Sequence, residues 1–118
     1  MIYAERIYNS KSGNGFRILV DRLWPRGLRK EDVKIDLWLK EIAPSKELRN
    51  WFGHDPERWP DFKVRFFLEL EEKKDLVDQI IEKARTNDIV LLYSAKDENH
   101  NNAVALKEYI EKKTTHND

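Results

Sequence analysis

Three polar clusters hold the side chains best suited to chemistry. The first, Val20-Asp-Arg-Leu-Trp-Pro-Arg-Gly27, sets Asp21, Arg22 and Arg26 around Trp24. An arginine fork matches the oxygens of carboxylate and phosphate, so Arg22 and Arg26 are candidates for holding an anion. The competing explanation is an ion pair between Asp21 and one arginine that holds the Pro-Arg-Gly turn. The second, Trp51-Phe-Gly-His-Asp-Pro56, puts His54 in a tight corner as a candidate general acid or base, beside Asp55, which suits a helix cap. The third, Tyr93-Ser-Ala-Lys-Asp-Glu-Asn-His-Asn-Asn102, lies where a strand gives way to a helix, and helix N-termini favour anions. His100 is the second candidate acid or base. The candidate ligand-binding residues are Asp21, Arg22, Trp24, Arg26, Lys40, Trp51, Asp97, Asn101 and Asn102, with ordinary capping by Asp97 and Asn99 as the alternative for the last cluster.

Several chemistries fall away. The adjacent His54 and Asp55 suggest a metal-dependent phosphohydrolase, but the chain has 3 histidines, one of them His116 in the tail, which leaves too few ligands. No metal and no cofactor is expected. Gly13 and Gly15 make no phosphate loop, because a strand follows them. The chain contains 0 cysteines, which excludes disulfides and thiolate nucleophiles. Ser45 and Ser94 have plain capping and loop explanations, so no reaction is assigned and an enzyme is neither required nor ruled out.

The elements that must position these clusters follow from apolar periodicity. Residues 2–8 alternate loosely and read as a strand; residues 16–20 and 89–93 are short apolar runs expected of buried strands. Leu37, Trp38, Leu39 and Ile42 are placed on a short helix capped by Asp36 and stopped by Pro44. Ser45 caps a helix over 46–52 that ends at Gly53, and Asp55-Pro56 starts a single turn before a main helix from about Pro60. Asp75 and Asp78 suggest a further cap before Leu76, and Asp97 or Asn99 caps the last helix. Strand, helices, strand, helix is the pattern of an α/β fold: a small, mostly parallel sheet flanked by helices, mixed if the glycine loop joins the first two strands as a hairpin. A single domain is expected over residues 1–112, followed by a polar tail at 113–118. The first cluster would face the other two, Trp51 to Pro56 and Asp97 to Asn102, across a cleft, where open α/β sheets meet ligands.

Lys+Arg and Asp+Glu both number 22, giving a formal net charge of zero that argues against a dedicated duplex binder. No apolar run reaches the ~18–20 residues of a membrane span and no leader is evident, so a soluble, cytoplasmic protein without a membrane partner is expected. An anion site, with a phosphate, nucleotide or carboxylate ligand, ranks first. Nucleic-acid binding through the basic stretch 17–30, with Trp24 stacking on a base, ranks second. A protein-interaction module or homodimer using exposed tryptophan ranks third. Oligomeric state is not read from these patterns.

Together, Val20-Asp-Arg-Leu-Trp-Pro-Arg-Gly27, Trp38-Leu-Lys-Glu-Ile-Ala-Pro-Ser45, Trp51-Phe-Gly-His-Asp-Pro56 and Leu91-Leu-Tyr-Ser-Ala-Lys-Asp97 with His100-Asn-Asn-Ala103 resemble the YeaO-like family of small bacterial proteins, a domain of unknown function. The resemblance runs from about Arg6 to Ile110. It implies no activity, but marks Asp21, Arg22, Trp24, Arg26, Lys40, Ser45, Trp51, His54, Asp97, His100, Asn101 and Asn102 as motif positions. Longer relatives carry cysteines near the third cluster, and thiol chemistry does not transfer to this chain.

Overall fold

In the computed structural model, residues 1–10 and 13–115 are described. The middle of the turn cluster at 9–15, and the last residues of the tail with His116, lie outside them.

Four strands, β1 (Ile2–Arg6), β2 (Phe16–Leu19), β3 (Leu37–Trp38) and β4 (Ile89–Tyr93), form one sheet in the order β1-β4-β2-β3. Every pairing is parallel: Ile2 and Phe16 both register with Ile89, and Ile18 with Leu37. β4 is buried at all five positions, as expected of a central parallel strand covered on both faces. The mostly parallel sheet is as expected, and the alternative hairpin between the first two strands does not form, since β4 inserts between β1 and β2 and both run parallel to it.

The helices are α1 (Lys46–Phe52), α2 (Trp59–Glu71), α3 (Lys74–Ala84) and α4 (Asn102–Thr115). α1 begins as its sequence dictates: Ser45 Oγ accepts from the Leu48 amide at 3.1 Å, and Gly53 closes it in the left-handed region at φ 53°. Asp55 caps the single 3-10 turn Pro56–Arg58 by accepting from Glu57 N at 3.0 Å. Three helix expectations need correction. Leu37 and Trp38 form an edge strand, because Asp36 spends its carboxylate on the Arg17 amide at 2.9 Å and so aligns the segment with β2. α3 starts at Lys74 from Lys73, so Asp75 lies in its first turn and is not its cap. α4 starts only at Asn102, with Asn101 Oδ1 accepting from Val104 N at 3.0 Å.

Alternation along β2 and β4 sends side chains to two different coverings. Ile18, Ile89, Leu91 and Tyr93 join Phe62, Phe66, Leu70, Val77, Ile80, Leu106 and Ile110 in the helical layer. Each such side chain contributes about 1.5–3 kcal/mol on burial. Leu19, Val90 and Leu92 face the other way, where Ile7, Tyr8, Trp24, Leu28, Val33, Ile35 and Trp38 cover them. Most of that second covering comes from the irregular segment 21–36, which is the continuation of the first polar cluster.

Candidate functional site

The cluster begins where β2 ends. Val20 is buried and turns the chain so that Asp21 meets the end of β4. Asp21 Oδ2 accepts from Ser94 N at 2.9 Å and Ser94 Oγ at 2.7 Å, while Oδ1 accepts from Asn102 Nδ2 at 3.2 Å. Asn102 also donates to Val20 O at 2.9 Å, and the Trp38 indole N–H donates to Asp21 O at 2.7 Å. Through its carboxylate and its backbone carbonyl, Asp21 therefore joins the ends of β2, β3 and β4 to the first residue of α4. The ends of β2 and β4 are neighbours bonded directly to each other, so no cleft separates the first cluster from the strand that leads into the third. The same bonding corrects the proposed pairing of Asp21 with an arginine: its partners are a hydroxyl, two N–H groups and no guanidinium.

Next to this clasp the chain turns outward. Trp24 donates its indole N–H to Leu28 O at 2.6 Å and packs edge-on against Trp38 at 5.6 Å, holding the loop to the sheet. Tyr8 Oη donates to Arg26 O at 2.7 Å. Arg22, Arg26 and Lys40 are exposed, and among the described residues none of them has a carboxylate at ion-pair distance. Lys40 Nζ lies 5.2 Å from the centre of the Trp38 ring, so it stands over the same corner. Lys73, bonded through Nζ to Ala43 O at 2.8 Å, has its pKa held below the ordinary lysine value, chiefly by burial, with Arg22 adding to the effect against the nearby Glu69 and Glu41.

The third cluster is mostly self-satisfied. Asp97 accepts from the amides of Asn99 and His100 at 2.9 and 3.0 Å, and its Oδ2 lies 2.9 Å from His100 Nδ1. These bonds, first that from Asn99 and then those from His100, hold the Asp97 carboxyl below the usual range. Asn101 is buried and donates to Asp97 O at 2.9 Å. Burial, then the charge of Glu98, raises the Tyr93 hydroxyl pKa above the ordinary tyrosine value.

The second cluster meets the third through aromatic rings. His100 packs edge-on against Trp59 at 5.3 Å, Trp59 lies 6.0 Å from Phe52, and Phe52 lies 6.5 Å from His54. His54 is exposed and is the only non-glycine residue among those described with positive φ, at 58°. Trp51 contacts neither histidine here. It lies between Arg58 and Arg65, 5.3 and 4.2 Å from its ring centre.

The structure thus unites Asp21 with Asn102, places Asp97, His100 and Asn101 next along the chain, and leaves Arg22, Arg26, Lys40 and His54 facing solvent. Ser94 and Trp38 were missed as partners of Asp21. Their signal was positional, since Ser94 follows β4 directly and Trp38 ends β3, the same strand ends that Asp21 serves. Arg17, counted in the basic stretch, is 1% exposed and donates to Lys34 O at 2.7 Å and Ser10 Oγ at 2.9 Å, so it is unavailable to nucleic acid. Arg29 pairs with Asp32 at 3.3 Å. All four tryptophans are half-buried, so the apolar residue this loop exposes is Leu23. Among the described residues no group of three or more His, Cys, Asp or Glu can hold a metal ion, and no helix is long and apolar enough to cross a membrane.

These features define a small parallel α/β domain whose strand ends are joined by a half-buried hydrogen-bond clasp and followed by exposed cations without an ion pair among the described residues. The chain belongs to the family described as the inactive DUF488-N3 subclade, which it matches over residues 1–118. It is 37% identical over 110 residues to the uncharacterised protein YeaO of Escherichia coli, covering 92% of this chain and 96% of that one. It is also 48% identical over 78 residues to an uncharacterised protein of Mycobacterium tuberculosis, covering 65% of this chain and 66% of its relative. The YeaO-like resemblance is therefore established, and these relatives are themselves of unknown function. No solved structure matches.

Proposed function

We propose that this domain binds an anionic ligand without transforming it, using Arg22, Arg26 and Lys40 as its contacts. The observation that carries this reading is that Arg22, Arg26 and Lys40, which follow the ends of β2 and β3 in the chain, are exposed and have no ion pair among the described residues, while the neighbouring Asp21 carboxylate is bonded at both oxygens. A guanidinium pair that serves no ion pair in the fold is available to phosphate or carboxylate oxygens. The ligand would lie on a surface rim: two cavities among the described residues lie along α3 and beside Arg17, and none of these three cations lines either. Binding without catalysis also agrees with the description of the family as inactive.

The test is calorimetric titration with pyrophosphate, a nucleoside diphosphate, citrate and a single-stranded oligonucleotide at about 50 and 200 mM salt. Binding of one or more of these, weakened at least tenfold by Arg26→Ala with the fold intact, supports the reading. No binding by any probe at low salt removes it. A response confined to the oligonucleotide and lost steeply with salt would instead favour nucleic acid.

A catalytic reading has one specific observation behind it. Asp97 orients His100 through Nδ1, the arrangement that holds an imidazole in one tautomer for proton transfer through Nε2. His54 would then be a second acid or base. If His100→Gln changes turnover of an ester or phosphate substrate panel, this reading replaces the first.

A further inference from the structure

Along the outer flank of the sheet, Leu37 of the edge strand and α3 form an open groove of about 520 Å³ lined by Leu37, Asp75, Asp78, Gln79, Glu82 and Lys83. Leu37 is the one apolar residue that lines it, and Asp75, Asp78 and Glu82 make its rim mostly acidic. Glu82 pairs with Arg85 at 3.3 Å, and Lys83 Nζ is drawn to the Phe16 ring at 5.1 Å, which leaves Asp75 and Asp78 without an ion pair among the described residues. The same molecule carries the complementary shape and charge. Leu23 is 72% exposed, the most exposed large apolar side chain apart from Met1 among the described residues, and Arg22 and Arg26 flank it.

We propose that two copies of this chain pair by each placing its Leu23 loop in the other's groove between β3 and α3. Leu23 would cover Leu37, and Arg22 and Arg26 would meet Asp75 and Asp78. Trp38 of β3 bonds to Asp21 O at 2.7 Å, so the loop stands at the carboxyl end of the edge strand whose Leu37 lines the groove. A mutual exchange is a two-fold contact that closes on itself, so assembly stops at two chains. It also covers the free edge of β3, a two-residue strand, and unpaired edges are features that proteins protect. Zero net charge divided into a basic loop and an acidic groove suits self-recognition better than recognition of a uniformly charged partner. The other exposed apolar pair, Val64 and Leu68 on α2, is 61% and 65% exposed and has Arg65 beside it already engaged with Trp51.

This proposal does not depend on the anion reading, although an anion held by Arg22 and Arg26 would compete with pairing. The test is therefore sedimentation equilibrium of the full chain in phosphate-free buffer at low salt. The expected result is two chain masses for the unchanged protein and one for Leu23→Asp, for Arg22→Glu with Arg26→Glu, and for Asp75→Lys with Asp78→Lys. All four charge reversals combined restore the dimer. Circular dichroism checks that each variant folds, and hydrogen exchange of the unchanged dimer should show concentration-dependent protection at residues 21–27 and 74–83. A monomer at all concentrations, a dimer that survives Leu23→Asp, or a failure of the combined reversals to restore pairing would each overturn the proposal. Dissociation by Val64→Asp with Leu68→Asp alone would move the interface to α2 and overturn it equally.

Discussion

Asp21 and Arg22 are neighbours in one motif, yet the fold treats them in opposite ways. Asp21 is enclosed by Ser94, Asn102 and the end of β4, with both carboxylate oxygens occupied. Arg22 is exposed and has no ion-pair partner among the described residues. The difference shows that a run of charged residues at a strand end can serve two purposes. One residue closes the sheet, and the next ones are left to meet something outside the chain. Asn101 and Arg26 repeat the contrast, the first buried among bonds and the second exposed with no ion pair among the described residues.

Substitution should separate the two regions sharply. Asp21→Ala is expected to have the largest effect, because it strips partners from a partly buried amide, hydroxyl and side-chain amide together; a loss of about 2–4 kcal/mol in urea unfolding would fit. A loss under about 0.5 kcal/mol would mean that the clasp contributes little and that the contrast with Arg22 fails. Asn102→Ala should cost less, about 1–2 kcal/mol, since Asp21 keeps both Ser94 bonds while Val20 O loses its donor. Measuring this pair as a double-mutant cycle should show coupling, because the two residues share a bond.

Arg26→Ala belongs to the other region and should leave stability within about 1 kcal/mol while weakening an anion at least tenfold. A large loss of stability would place Arg26 in the structural group after all. The smallest effect is expected from pH. Asp97 has a carboxyl held below its unfolded value by bonds from Asn99 and His100, so its contribution to stability is complete above the ordinary carboxylate range and fades as pH falls through its lowered value. Asp97→Asn should therefore flatten the acid limb of a stability profile below about pH 4 and change little near neutrality. An unchanged acid limb would show that these exposed capping bonds carry no net stabilisation.

Much of the local structure could be read directly. Ser45, Gly53 and Asp55 occupy their expected cap positions because a cap is satisfied within three or four residues of itself. The apolar run of β4 and the inward residues of α2 were legible for the same reason, since periodicity is a local property. β3 was not. Leu37 and Trp38 fit a helical spacing, and what commits the segment to the sheet is its bonding to β2, 19 or 20 residues away: Arg17 N to the Asp36 carboxylate, Asp36 N to Arg17 O and Leu39 N to Leu19 O. Arg17 itself reads as part of a basic stretch, and its burial depends on Lys34 and Ser10 supplying oxygens around it.

The candidate site divides along the same line. By itself the sequence determined which residues stand at strand ends and helix corners, the family to which the chain belongs, and the chemistry its residue types exclude. Tertiary structure alone decided that Asp21 bonds to Ser94, 73 residues away, and not to the arginine beside it. It also decided that the loop after β2 covers one face of the sheet while exposing Leu23 and its flanking guanidiniums. Local signals record what a residue can do with its neighbours in the chain. Which polar group is enclosed and which is left free depends on what the parallel sheet brings alongside it, and insertion of β4 between β1 and β2 settled that here.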